Sequence, residues 1–167
     1  MGNSWSYVPN DHYKSSTELI HLLLKIVSRG GNLLLNIGPS PEGDFADTAY
    51  ARLKDIGAWM KVHSNGIYGT TVLPPYEESN IIYLQSKDSS RKYIYLLSDG
   101  KNEMVTLPPV VHLNNYIIAK GNKIRLVDLP GEKISYKTSG SGTDIFINKK
   151  WVNKEAGKYA IAFEISK

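Results

Sequence analysis

The stretch "RGGNLLLNIGPSPEG", Arg29 to Gly43, decides how the rest of the chain is read. Leu33, Leu34, Leu35 and Ile37 stand together without the polar alternation of a half-buried strand. The segment therefore reads as a short strand covered on both faces, the pattern of a buried parallel strand. Upstream, Ser15-Ser16-Thr17-Glu18 has the Ser-x-x-Glu form of a capping box, which predicts a helix start. Leu19, Ile20, Leu22, Leu23, Leu24, Ile26 and Val27 then give a broad apolar surface, and Arg29-Gly30-Gly31 is a stop signal. Downstream, a second helix is predicted from Asp47-Thr48, with Tyr50, Leu53, Ile56, Gly57 and Met60 inward and Arg52, Lys54, Asp55 and Lys61 outward. Ser64-Asn65-Gly66 closes it. Helix, strand and helix together read as a fragment of an α/β layer structure.

From about Thr70 the period changes to two. The runs "IIYLQS", "KYIYLLS", "MVTLP", "YIIAK", "KIRLV", "KISYKT", "DIFIN" and "YAIAFEIS" are separated by turn signals at Ser98-Asp99-Gly100, Lys120-Gly121-Asn122, Pro130-Gly131 and Ser139-Gly140-Ser141-Gly142. About eight strands at this spacing predict an antiparallel β-sandwich. Val72-Leu73-Pro74-Pro75 reads as the connection between the halves. The expected class is α+β, with residues 1–70 and 71–167 as the two parts.

The 167 residues, 41% hydrophobic and 22% charged, are those of a globular protein. No apolar run approaches the roughly 20 residues of a membrane helix, so no membrane partner is expected. "MGNSWSYVPN" has neither a basic start nor an apolar stretch, which predicts no signal peptide. The absence of cysteine excludes disulfides, thiolate metal sites and a cysteine nucleophile. The net charge of +4 comes from scattered lysines, Lys120, Lys123, Lys133, Lys137, Lys149, Lys150, Lys154 and Lys158 among them. With no arginine cluster, that pattern reads as a solvated surface and not as a nucleic-acid site.

Ser4 to Thr70 closely resembles the C-terminal end of the catalytic barrel in bacterial α-L-fucosidases of glycoside hydrolase family 29. The most specific residues are Gly31-Asn32-Leu33-Leu34-Leu35-Asn36-Ile37-Gly38-Pro39, followed by Asp47 to Gly69 with its Ile67-Tyr68-Gly69 ending. The β-rich half looks like the family's C-terminal sandwich in pattern. The resemblance implies that Asn32 to Ile37 is the last strand of a (β/α)8-type barrel. Gly38 to Ala46 would then lie on the C-terminal face, where such barrels carry their active sites. Pro39 and Pro41 stiffen that loop, and Gly38 and Gly43 permit its bends. The implied reaction retains configuration: an aspartate attacks the anomeric carbon, while a second carboxylate protonates the leaving oxygen and then deprotonates water. The resemblance places the nucleophile and the fucose-binding histidines upstream of this chain. Met1 is then an internal methionine, the chain alone is expected not to hydrolyse fucosides, and the parent enzyme is expected to be periplasmic or secreted. Fucosylated glycans are the implied partners. Self-association through uncovered barrel surface is a further expectation.

Trp5, in "SWSY", occupies the family's aromatic-Gly-Tyr position, with Ser6 in place of the glycine. The resemblance implies that its ring lines the fucose pocket, and an indole face suits the methyl group of a 6-deoxy sugar. The alternative is a core tryptophan. Asn36 reads as a residue that ties down a loop backbone. Glu42 and Asp44 read as solvated acids near a helix N-terminus, not as a catalytic pair. His12, His21, His63 and His112 have no metal spacing, so neither metal nor cofactor is expected. Tyr76, Tyr83, Tyr93, Tyr95 and Trp151 read as cross-strand and core aromatics, with a sugar-binding platform on the sandwich as the alternative. A non-catalytic carbohydrate-binding or structural module is the competing reading of the whole chain.

Overall fold

The Ser15 hydroxyl accepts from the Glu18 amide at 3.1 Å, and the Glu18 carboxylate accepts from the Ser15 amide at 2.7 Å. This reciprocal box opens helix α1, Ser16–Ser28. At its far end Gly30, at φ +82°, donates to Val27 O and Gly31 donates to Ile26 O, the paired bonds of a glycine-terminated helix. The second helix, α2, spans Asp47–His63 and tightens into one 3-10 turn at Ser64–Gly66. Residues 1–132 and 134–167 are described by this computed structural model; Lys133, the first residue of the "KISYKT" run, lies outside them.

Ten strands follow: β1 (Thr70–Glu78), β2 (Ile81–Ser86), β3 (Arg91–Leu97), β4 (Met104–Thr106), β5 (Val110–Leu113), β6 (Lys123–Leu126), β7 (Ser135–Ser139), β8 (Gly142–Phe146), β9 (Glu155–Lys158) and β10 (Ala160–Ser166). They form a five-stranded sheet in the order β1-β2-β3-β10-β6, a pair β4-β9 and a three-stranded sheet β5-β8-β7, with every pairing antiparallel. The α+β class and the sandwich are thus as the sequence predicts, with three differences in detail. "YIIAK" forms no strand. "VVHL" and "EAGK" do. The proposed connection Val72 to Pro75 lies within β1, where the ladder slips between Val72 and Glu77 because the prolines there have no N–H to give it.

The five-stranded sheet is buried on both faces. On one side Ile82, Leu84, Tyr93, Tyr95, Ala160 and Ala162 pack against Ile20, Leu24 and Trp59 of the helices. On the other, Ile81, Tyr83, Ile94, Leu96, Ile161, Phe163 and Ile165 pack against Val105, Val111, Leu113, Ile145 and neighbours from the smaller sheets. This is why "KYIYLL" and "AIAFEI" are almost unbroken apolar runs: each strand carries one face for the helices and one for the second layer. Ala49, Trp59 and His63 are the buried residues of α2, with Ile56 and Met60 packed partly buried beside them, as predicted, while Tyr50, Leu53 and Gly57 of the predicted face are exposed. The sheet selects the stripe that carries the indole, because Trp59 Nε1 donates to the buried Ala160 carbonyl at 2.9 Å.

The segment Asn32 to Ile37 departs most from its reading. It forms no strand and pairs with none among the described residues. Leu35 and Ile37 pack on Leu19, Ala49, Tyr13 and Phe45, whereas Leu34, on the alternate face, is 83% exposed. One side of this apolar segment is covered and the other is bare.

Candidate functional site

The first residues fold back onto that segment. The Asn36 amide donates to the Trp5 carbonyl at 2.7 Å, which ties the loop Ser4 to Tyr7 to the end of the extended stretch. Gly38 completes the contact. A Cβ there would stand 2.4 Å from Tyr7 N and 2.6 Å from Ser6 C, so no larger residue fits under the loop. Asn36 is therefore a backbone tie, as its residue type suggests. Trp5, 79% exposed, is not a core residue. Its ring stands with Tyr7, Val8 and Leu34 among the exposed large apolar side chains of this end of the molecule.

The loop Gly38 to Ala46 is closed on itself. Ser40 N–H donates to Asp44 O at 2.7 Å, Gly43 N–H donates to Ser40 O at 2.9 Å, and Gly43 takes φ +86°. Asp44 accepts from the Phe45 amide at 2.8 Å and from the Tyr50 hydroxyl. The Tyr50 bond chiefly holds the Asp44 carboxyl below its ordinary pKa, and a Ser40 hydroxyl bond does the same for Glu42. Both acids are fully exposed and ionised at neutral pH. A glycosidase general acid needs the opposite, a pKa raised by burial, so neither is suited to protonate a leaving group.

The histidines are dispersed, and among the described residues no three metal-ligating side chains stand together. No described helix is long and apolar enough to cross a membrane. His21 Nε2–H donates to Tyr159 O at 2.8 Å, and burial is the main cause that lowers its pKa. His112 pairs with Asp144 across β5 and β8 at 2.7 Å on the surface. His63, read from the sequence only as one of four histidines without metal spacing, is buried. Its Nε2 lies 3.0 Å from Asp128 Oδ1, its ring stacks on Trp59 at 4.3 Å, and the other Asp128 oxygen accepts from Ala162 N–H at 2.9 Å. The i, i+4 spacing of Trp59 and His63 was the only available signal; Asp128 is remote in the chain. This pair clamps α2 to β10. The strand aromatics Tyr83, Tyr93 and Tyr95 are core residues, so no platform forms from them.

Residues 1–65 match the family described as Alpha-L-fucosidase. An α-L-fucosidase of Dictyostelium discoideum is 37% identical over 86 residues, 50% of this chain and 18% of that protein. Tissue α-L-fucosidase of Rattus norvegicus is 27% identical over 136 residues, 77% of this chain and 28% of that protein. The Thermotoga maritima α-fucosidase, solved in complex with fucose, superposes with a TM-score of 0.81 at 28% identity, over 98% of this chain and 37% of that one. The same enzyme with a mechanism-based inhibitor gives 0.83 at 26% identity, over 99% and 38%. The chain thus spans well under half the length of these relatives. It carries the α-L-fucosidase sequence pattern in residues 1–65 and resembles solved α-L-fucosidases in fold along nearly all its length.

Proposed function

We propose that this chain is the C-terminal portion of a retaining, exo-acting α-L-fucosidase of bacterial origin that removes terminal α-L-fucose from glycoconjugates. Residues 1–70 are the end of its (β/α)8-type barrel and residues 71–167 its C-terminal sandwich. The observation that carries the reading is the match of residues 1–65 to the α-L-fucosidase family. The bare face of Leu34, and the absence of a strand partner for Asn32 to Ile37 among the described residues, support the barrel assignment, since an apolar strand that leaves one face in water lacks neighbours.

In this reading Trp5 lines the fucose pocket, its indole against the C6 methyl group, on a loop held by Asn36 and seated on Gly38. The attacking carboxylate and the acid/base, roughly 5 Å apart in a retaining enzyme, stand on strands that precede this portion. Glu42 and Asp44, exposed and ionised, take neither role. The chain alone is then inactive, and its bare apolar residues, Leu34, Tyr50 and Leu53, favour self-association. A periplasmic or secreted location belongs to the same reading. A non-catalytic carbohydrate-binding or structural module is the competing one; Tyr83, Tyr93 and Tyr95 of its supposed platform are buried, whereas Tyr76 is 38% exposed.

The test is to express the chain joined to the polypeptide that precedes it and assay an aryl α-L-fucoside. Hydrolysis with retention, absent from residues 1–167 alone, supports the proposal. Cleavage of other glycosides and not of fucosides overturns it.

A further inference from the structure

At the end of α2 remote from the Gly38 to Ala46 loop, a groove of about 290 Å³ opens between the 3-10 turn and the β2–β3 turn. Asn65, Tyr68, Asp88, Ser90, Arg91 and Tyr93 are among its lining residues. A second hollow of about 470 Å³ shares Asp88, Ser90 and Arg91 with it and continues to Ser166. Helix α2 has 17 residues, so the groove lies about 25 Å along that helix from its Asp47 end.

Tyr68 is 73% exposed, yet its backbone is fixed. Its N–H donates to Ser64 O at 2.8 Å, Lys87 N–H donates to Gly69 O at 3.0 Å, and the Thr70 hydroxyl donates to Ile67 O at 2.7 Å. A ring held on a rigid turn with its faces in water contributes nothing to the core. On the other side of the groove stands the exposed Arg91, beside Tyr93, which is buried in the sheet. Asp88 gathers the hydroxyls of Ser86 at 2.5 Å and Ser90 at 2.8 Å. Those bonds, the Ser86 one foremost, hold its pKa down to about 2, so it stays an ionised acceptor. An exposed aromatic face, a planar donor fork, a carboxylate acceptor and the Asn65 amide thus converge in one concave surface. This is the set that recognises a sugar ring: an apolar face for stacking and paired donors and acceptors for adjacent hydroxyls.

We propose that the groove between Tyr68 and Arg91 is a glycan-binding site, separate from the Trp5 pocket, that takes one pyranose ring of an oligosaccharide. It rests on the fucosidase reading only for the choice of probe. The experiment maps backbone amide chemical shifts of the intact chain during titration with fucosyllactose, for the wild type, Tyr68→Ala, Arg91→Ala and Trp5→Ala. The three side chains are exposed, and unchanged circular dichroism confirms that each variant folds. Saturable shifts are expected at Asn65, Tyr68, Gly69 and Ser89 to Arg91. Tyr68→Ala and Arg91→Ala should each raise Kd about tenfold, the effect of one lost stacking or bidentate contact, and Trp5→Ala should leave it unchanged. The absence of saturable shifts at these amides, or shifts that survive both groove substitutions, overturns the proposal. Shifts confined to Ser4 to Tyr7 and abolished by Trp5→Ala also overturn it, while supporting the fucose-pocket reading.

Discussion

Trp59→Ala tests whether the helices and the sandwich stand or fall together. The indole is 6% exposed, stacks on His63 at 4.3 Å and lies 6.0 Å from the Tyr95 ring, so its removal empties the space between α2 and the five-stranded sheet. Tryptophan-to-alanine changes in cores cost about 3–5 kcal/mol. The substitution also strips the Ala160 carbonyl, which is fully buried, of its 2.9 Å donor, a penalty of about 1 kcal/mol or more. The sum is comparable to the whole stability of a marginal domain, about 5–15 kcal/mol. Trp59→Phe separates the two effects, since it keeps most of the ring and loses the donor; its cost is about 1–3 kcal/mol. The assay is urea unfolding followed by far-ultraviolet circular dichroism, which reads the helices, and by tryptophan fluorescence. Trp151, partly buried against the outer core, carries the sandwich signal in the latter. In the wild type the two transitions should coincide, and in Trp59→Ala both should move to lower urea together. A sandwich transition that stays in place while the helical signal collapses would contradict this coupling, because the layers would then be independent.

Two further outcomes follow from single contacts. The His21 pKa is lowered from its ordinary 6.5, burial outweighing the bond to Tyr159 O. As pH falls below 6.5 the unfolded chain therefore takes up a proton before the folded one does. Stability should be full above that pH and should decline below it until the folded-state pKa is passed; the urea midpoint measured against pH should show this slope in the wild type and lose it in His21→Gln. Gly38→Ala should cost about 1–3 kcal/mol by overpacking, since its Cβ would meet the Tyr7 backbone at 2.4 Å. It should also shift the amide resonances of Trp5 to Tyr7 while leaving those of β10 in place.

Much of the framework was readable because it rests on local rules. The Ser15–Glu18 box, the Gly30-Gly31 stop and most strand runs are dictated within a few residues of themselves. What failed depends on partners remote in sequence. The burial of β3 and β10 on both faces follows from helices that precede them. The inward face of α2 was misread in part, because Tyr50 and Leu53 continue the Ile56 and Met60 stripe plausibly on their own, and only the sheet favours Trp59 and His63. β1 was hidden by Pro74 and Pro75. At the candidate site, Asn36 as a loop tie and Glu42 and Asp44 as solvated acids were legible from residue type and position. The exposure of Trp5 was not, because an indole in a short polar loop fits a core or a pocket equally well. The groove at Tyr68 was invisible too, since its walls come from two turns joined only by the fold.

In the proposed reading, Asn32 to Ile37 is a strand whose flanking neighbours belong to the preceding part of a larger barrel. Amide hydrogen exchange of Leu33 to Ile37 measures this most directly, compared between residues 1–167 alone and the same residues joined to the polypeptide that precedes them. Exchange near the unstructured rate is predicted in the chain alone, where no strand pairs with this segment among the described residues, and strong protection in the longer polypeptide. Strong protection in the chain alone, or continued rapid exchange in the longer one, would contradict it.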